Sequence, residues 1–336
     1  MNTSTGLISR LTSADGINYV NIGLMIISAV AAFVLPFELF LFVYAVLGPL
    51  HYLTEISWLD KKNFFVRAKS DIWIFVFFVL IITIGMFREN TSKFNAFLGS
   101  LLFSAFVYAL VIMYVEKVVV KIGVLVVAFM ISLIFSFNQY PNFPYLLFGM
   151  WLPTIIHVYV FTGAFVLYGA LKTKSRSGMI SLLVFIVCGI VCFIYIPEQS
   201  NPVSEYCRNA YHFFRFLNVT LYNFFSGGTL SPEGSDLYLL PKAVAVMRFI
   251  AFAYTYHYLN WFSKTSVIKW NQVSRQRLAI ILTLWVLSMV LYFISYSVGF
   301  YALFLLSMLH VFFEFPLNHQ TFIGIGKELR GLVRKN

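Results

Sequence analysis

Apolar residues fill long runs along the whole chain, and short polar segments separate these runs. Most runs are close to the ~20 residues that a helix needs to cross the apolar core of a bilayer. Because backbone groups in lipid must be hydrogen-bonded within their own segment, such runs form helices. The pattern predicts ten membrane spans, at residues 17–34, 37–58, 70–87, 95–115, 118–137, 145–171, 178–196, 240–263, 276–295 and 298–316.

Composition supports the same fold class. The 336 residues are 60% hydrophobic and 11% charged, whereas soluble domains are ~25% charged. We therefore expect an all-α polytopic helical bundle that forms one transmembrane domain over residues 1–336. We expect it to be a multi-pass protein of the cell membrane, specifically the bacterial inner membrane.

The net charge of +11 comes from basic clusters in the short loops between apolar runs. If the N-terminus is inside, the inner segments and their flanks hold 18 of the 24 Lys and Arg residues. This bias is typical of cytoplasmic loops, and it predicts cytoplasmic N- and C-termini. The location of the charge also argues against nucleic acid as a partner.

Residues 197–239 are difficult to assign. They contain EYCRNAYHFFRFLNVTLYNFF, an aromatic stretch that basic and amide side chains interrupt. Counting this stretch as a span would place the last two basic clusters outside. We therefore expect an outer-face loop with an interfacial or re-entrant helix.

Histidines within the spans are the main candidates for chemistry. Four of the six histidines lie there, all on spans that run from outside to inside, at His51, His157, His257 and His310. Glu55 and Glu314 each follow one of these histidines by four residues, which places each pair on one helix face. An acid within a span is costly and usually has a partner and a function.

Imidazoles from several helices can hold a metal ion inside a helical bundle. Imidazole suits iron, zinc or copper, and the three cysteines do not form a thiolate site. Iron is the expected cofactor, with zinc and copper as alternatives. Glu55, Glu314 and Asn260 are the candidate catalytic residues. The two glutamates would be further ligands or would orient a ring, and Asn260, three residues after His257 on the same helix, could hydrogen-bond a ligand or a substrate.

Two other interpretations use the same side chains. A proton- or ion-coupled transporter would titrate the histidines and glutamates in sequence, because imidazole changes charge near neutral pH. A structural or assembly protein would use them only for hydrogen bonds between helices. A bound metal would favour an enzyme, whereas a polar path to both faces would favour a carrier.

Three stretches resemble the Brp/Blh family of membrane β-carotene 15,15′-dioxygenases. They are LGPLHYLTEISWL at 47–59, YTYHYLNWFSK at 254–264 and LLSMLHVFFEF at 305–315. The resemblance implies a non-haem iron oxygenase that uses O2 on a carotenoid- or lipid-like apolar substrate within the bilayer. It implies iron ligands at His51, His257 and His310. Glu55 stands where the family has an aspartate, and Trp261 where it has a further histidine.

Overall fold

The computed structural model describes residues 13–62, 69–87, 91–138, 143–194, 203–228, 230 and 237–333. Within these ranges every regular element is a helix. The all-α fold class is therefore confirmed. The far ends of the chain lie outside the described residues, and the cytoplasmic placement of both termini stays a prediction.

All ten predicted spans are helical. The corresponding elements are Ala14–Val34, Pro36–Lys62, Lys69–Met86, Ser92–Val111, Val118–Asn138, Tyr145–Phe161 followed directly by Thr162–Thr173, Arg176–Ile194, Pro241–Ser263, Arg275–Ile294 and Tyr296–Val333. Tyr145–Phe161 is wound as a π-helix, a rare form that occurs frequently at functional sites.

Eight helices of the described chain are long and apolar enough to cross a membrane. The third predicted span contributes only a shorter apolar helix, Asp71–Gly85. Helix Pro241–Ser263 is not among the eight, although it is 23 residues long. Its side chains are buried almost throughout, so they face protein rather than lipid, and Tyr, Thr, His and Asn are tolerated there.

The last helix is longer than predicted. The predicted tenth span ends at Pro316, because proline removes a backbone donor and often ends a helix. In the structure this helix runs over Tyr296–Val333 and passes through Pro316. Neighbouring elements can compensate for a proline within a membrane helix. His319, which the sequence placed beyond the last span, is therefore helical and lies 3.0 Å from the hydroxyl of Tyr114.

The chain forms two compact units. The first comprises residues 1–51, 158–273 and 325–336. Helix Pro241–Ser263 is central to it and packs against Ala14–Val34, Arg176–Ile194 and Arg215–Ser226. Phe252 and Tyr256 on this helix are completely buried.

The second unit comprises residues 52–157 and 274–324. Helices Ser92–Val111 and Val118–Asn138 form an extensively packed hairpin in it. Its core is rich in phenylalanine and includes Phe106 and Phe312, whose rings lie 4.4 Å apart.

Residues 205–226, within the segment 197–239 that is difficult to assign from sequence, are helical. They comprise Glu205–Ala210, the 3₁₀ turn Tyr211–Phe214 and Arg215–Ser226. Tyr211 is completely buried, and its ring packs edge-on against that of Phe37 at 5.0 Å. Aromatic contacts therefore dock this segment within the first unit, while its predicted position at the outer face stays a prediction.

Candidate metal centre

The first unit contains one pair of facing histidines. The Nε2 atoms of His51 and His257 lie 3.1 Å apart, and both side chains are buried. The other ring nitrogen of His257, Nδ1, lies 2.8 Å from the hydroxyl oxygen of Thr162, which is also buried. The rings of Tyr258 and Trp261 lie 5.2 and 5.6 Å from the ring of His51. The pair is therefore enclosed by aromatic side chains.

The second unit contains another pair with the same arrangement. The Nε2 atoms of His157 and His310 lie 3.2 Å apart. Nδ1 of His157 lies 2.9 Å from a carboxylate oxygen of Glu314, an ion-pair contact rather than a well-aligned hydrogen bond. The ring of Tyr52 stacks on that of His310, with centroids 4.2 Å apart. Each pair thus directs Nε2 at Nε2, and Nδ1 of His257 and Nδ1 of His157 each contact an oxygen atom of another side chain.

The spacing within each pair fits metal coordination. Imidazole binds zinc at about 2.0–2.1 Å, so two ligands of one ion lie roughly 2.9–3.4 Å apart at angles from ~90° to ~109°. The observed 3.1 and 3.2 Å fall in this range. A hydrogen bond between two neutral rings would have a similar length, so distance alone does not distinguish the two arrangements.

Three of the four predicted ligands form a buried cluster. His51, His157 and His310 each offer a ring nitrogen, and these atoms all lie within 4.8 Å of one another. His51 also faces His257. The protein is therefore an apolar helical bundle with a buried histidine cluster that could bind a metal.

The second unit, which contains the pair His157 and His310, also contains two buried glutamates. Glu55 is 1% exposed and Glu314 is 4% exposed, and the two are close enough to interact electrostatically. Two acids in an apolar setting are stable only if their charge is neutralised. Glu314 contacts Nδ1 of His157, and the roles of the two glutamates as ligands or orienting groups stay predictions.

A proline lies inside each of the helices that carry three of the histidines. Pro49, Pro153 and Pro316 lie within the helices of His51, His157 and His310 respectively. A proline inside a helix removes a backbone donor and bends the axis or alters the winding. Each of the three clustered histidines therefore lies on a helix with a proline inside it.

The π-helix that carries His157 is fixed at its start by a close backbone contact. A Cβ atom at Gly99 would clash with the backbone nitrogen of Tyr145, so only glycine fits there. A Cβ atom at Gly149 would similarly lie 2.9 Å from the side chain of Leu102. These contacts pack the first turns of the π-helix closely against helix Ser92–Val111. They therefore help to fix the position of the helix that carries His157.

Asn260 has a different setting from the histidines. Its side-chain oxygen lies 3.3 Å from the hydroxyl of Tyr256, which also donates to Asn21 at 3.1 Å. These contacts join the central helix to helix Ala14–Val34. The catalytic role suggested for Asn260 from its spacing to His257 stays a prediction.

Several features of the site and its surroundings have no signal in the sequence pattern. Thr162 contacts His257 and Tyr52 stacks on His310, yet each looks like an ordinary residue of an apolar span. Asp71 is completely buried and pairs with Lys121 at 2.7 Å. The side chain of Arg248 is 7% exposed, and its guanidinium group lies over the ring of Phe33.

The histidine cluster includes none of the cysteines. All three are free and buried in the structure. Cys207 lies in the segment before the 3₁₀ turn, where burial and the nearby carboxylate of Glu38 raise the pKa of its thiol to about 12. The thiolate that a metal requires is therefore disfavoured there.

The chain was compared with family models, with curated proteins and with solved structures, and none of them matches it. The functional argument therefore depends on the buried site itself.

Proposed function

We propose that this protein is a membrane non-haem iron oxygenase that acts with O2 on an apolar, carotenoid- or lipid-like substrate. The supporting observation is the buried histidine cluster of His51, His157 and His310, in which a carboxylate contacts the outer nitrogen of His157. His257 extends this donor set through its contact with His51.

The donor set fits iron. The second unit alone offers two histidines and nearby carboxylates, His157 and His310 with Glu55 and Glu314. Imidazole nitrogens suit iron, and a carboxylate on the outer nitrogen of a ligating ring, as Glu314 is for His157, raises the basicity of that ring. Zinc and copper also accept imidazole, so a metal analysis has to measure all three.

Charge balance also favours a bound cation. An ionised Glu314 beside neutral imidazoles would leave a negative charge buried in an apolar bundle, which is costly. A divalent ion neutralises that charge without a further side chain. In the described chain the buried Lys121 does not serve this purpose, because its ammonium group contacts both carboxylate oxygens of Asp71.

The residues around the cluster have distinct tasks in this proposal. His51, His157, His257 and His310 would hold the ion, and a ferrous ion would supply the redox chemistry that O2 requires. Glu314 orients the ring of His157, and the stacked ring of Tyr52 restrains His310. Val311 and Phe312, which follow His310, are buried apolar residues that help to exclude water.

The substrate class comes from two arguments. A protein embedded in lipid meets apolar molecules at high local concentration, and a carotenoid or lipid can reach the site from the bilayer. The resemblance of residues 47–59, 254–264 and 305–315 to the Brp/Blh dioxygenases adds O2 and a polyene to this expectation.

Metal analysis of the purified protein tests the proposal. The wild type, expressed with added iron, is compared with a His51→Ala/His310→Ala variant and with a His212→Ala/His319→Ala control, whose histidines lie outside the cluster. We expect near-stoichiometric iron in the wild type and the control, and its loss from the cluster variant. Inductively coupled plasma mass spectrometry measures iron, zinc and copper in one sample.

Activity is measured next, as O2 uptake by the iron-loaded protein with carotenoid or lipid in detergent micelles. Substrate-dependent uptake that disappears in the cluster variant supports the oxygenase. A folded wild type that takes up none of the three metals would contradict it and would leave the transporter and structural interpretations.

A further inference from the structure

Thr162 is a buried residue at the junction of two kinds of helix. It follows the π-helix Tyr145–Phe161 directly and begins the α-helix Thr162–Thr173. Its side chain is 1% exposed, and its hydroxyl oxygen lies 2.8 Å from Nδ1 of His257.

The backbone holds this hydroxyl in place. A Cβ atom on the next residue, Gly163, would lie 3.1 Å from the ring of Phe185. The chain therefore approaches helix Arg176–Ile194 closely at this point, and Thr162 has little freedom to move. The hydroxyl is accordingly a fixed partner for His257.

The hydroxyl can adapt to either form of the imidazole. A threonine hydroxyl both donates and accepts hydrogen bonds, whereas an ionised carboxylate only accepts. When Nε2 of His257 binds a metal, Nδ1 carries the hydrogen and Thr162 can accept it. When Nε2 carries the hydrogen, it can donate to His51, and Thr162 can then donate to Nδ1.

We infer that Thr162 is a positioning residue that stabilises the metal-binding tautomer of His257. This inference rests on the proposed metal site. Its hydroxyl gives the Nδ1 hydrogen an acceptor, and so keeps the lone pair of Nε2 directed at the metal. Outer partners of ligating histidines commonly have this role, and their loss lowers metal affinity about 10- to 100-fold.

Removing the hydroxyl disfavours the tautomer that carries its hydrogen on Nδ1. In a Thr162→Val variant the side chain keeps its shape but can neither accept nor donate. A hydrogen on Nδ1 would be buried without this acceptor, which is costly. The hydrogen is then favoured on Nε2, where His51 accepts it at 3.1 Å and where it blocks metal binding.

The test uses Thr162→Val, the conservative Thr162→Ser and the matched control Thr321→Val. Thr321 is equally buried, but its hydroxyl bonds the carbonyl of Leu317 in its own helix. Two quantities are measured: the dissociation constant for Zn²⁺ by chelator competition, and the histidine tautomers of the metal-free protein by ¹⁵N NMR. A His257→Gln variant assigns the His257 signals.

We expect Thr162→Val to weaken zinc binding about 10- to 100-fold and to remove the Nδ1–H signal of His257. Thr162→Ser and Thr321→Val should both resemble the wild type. An unchanged tautomer in Thr162→Val would overturn the inference, even if the wild type binds metal. Conversely, a wild type that binds no metal defeats the proposed function, while the tautomer measurement still tests the part played by Thr162.

Discussion

The second unit buries carboxylates in two ways that differ in the source of the compensating charge. Asp71 is completely buried and pairs with Lys121 at 2.7 Å, and the hydroxyl of Tyr108 donates to it at 3.0 Å. Glu314 is also buried, but its ion-pair partner among the described residues is His157, which is charged only when protonated. The chain supplies a permanent cation to the first carboxylate and an ionisable ring to the second.

This difference separates a structural charge from a functional one. Lys121 and Asp71 connect the first turns of helices Val118–Asn138 and Lys69–Met86 and need nothing from solution. Glu314 and Glu55 lie close enough to repel each other beside two imidazoles. In the proposed function a cation from outside the chain would compensate the buried charge, and the comparison can be tested by removing each carboxylate in turn.

Asp71→Asn should have the largest effect. It leaves the ammonium group of Lys121 buried without its counter-ion, and breaking a buried pair costs ~3–5 kcal/mol. We expect this loss in the free energy of unfolding, measured by denaturant titration in detergent, with or without added metal. The double variant Asp71→Asn/Lys121→Met should recover much of it, because no charge is then left buried.

The exposed pair Asp60–Arg277 provides the control. Its atoms also lie 2.7 Å apart, but both side chains are about half exposed, and such pairs contribute only ~0–1 kcal/mol. Asp60→Asn should therefore have little effect. If Asp71→Asn were as mild, Lys121 would be compensated in another way and the comparison with Glu314 would lose its basis.

Glu314→Gln should have a smaller effect on stability, and whether it raises or lowers the unfolding temperature should depend on bound metal. The neutral amide no longer favours a hydrogen on Nδ1 of His157, so iron affinity should fall about 10- to 100-fold. In the metal-free protein the same change removes a buried negative charge and should raise the unfolding temperature. Asp71→Asn, by contrast, lowers it in both states.

The unfolding temperature is measured for wild type and Glu314→Gln before and after a chelator removes the metal. Iron stabilises the wild type because it binds the folded state, and this stabilisation should be much smaller in Glu314→Gln. A metal-free Glu314→Gln protein that unfolds at a lower temperature than metal-free wild type would indicate that the carboxylate is already neutralised within the chain.

The sequence predicts the fold well because burial in lipid leaves a strong signal. Each long apolar run became a helix, and the histidines and acids stand out against an apolar background. The extension of the last helix past Pro316 was not predictable, since it depends on how neighbouring elements compensate for a proline. The central helix also carries fewer apolar residues than lipid-facing helices, and only packing explains why.

The candidate site was predicted in part, and the limit is physical. Helical spacing relates residues on one helix, so it links His310 with Glu314. In the structure, however, Glu314 contacts His157, which lies on another helix. Thr162, Tyr52 and Lys121 are likewise defined only by contacts between helices. No spacing rule in a single sequence specifies these contacts.

Asn260→Ala should have the smallest effect, because it removes a neutral polar group that needs no cation. The hydroxyl of Tyr256 keeps its bond to Asn21 at 3.1 Å when Asn260 is shortened. We expect a loss of about 1 kcal/mol in stability and no change in iron content, measured as for the cluster variants. If iron were also lost, Asn260 would contribute to metal binding, as proposed for Glu314. If iron were retained but substrate-dependent O2 uptake fell at least tenfold, Asn260 would instead act on the substrate, as its spacing to His257 first suggested.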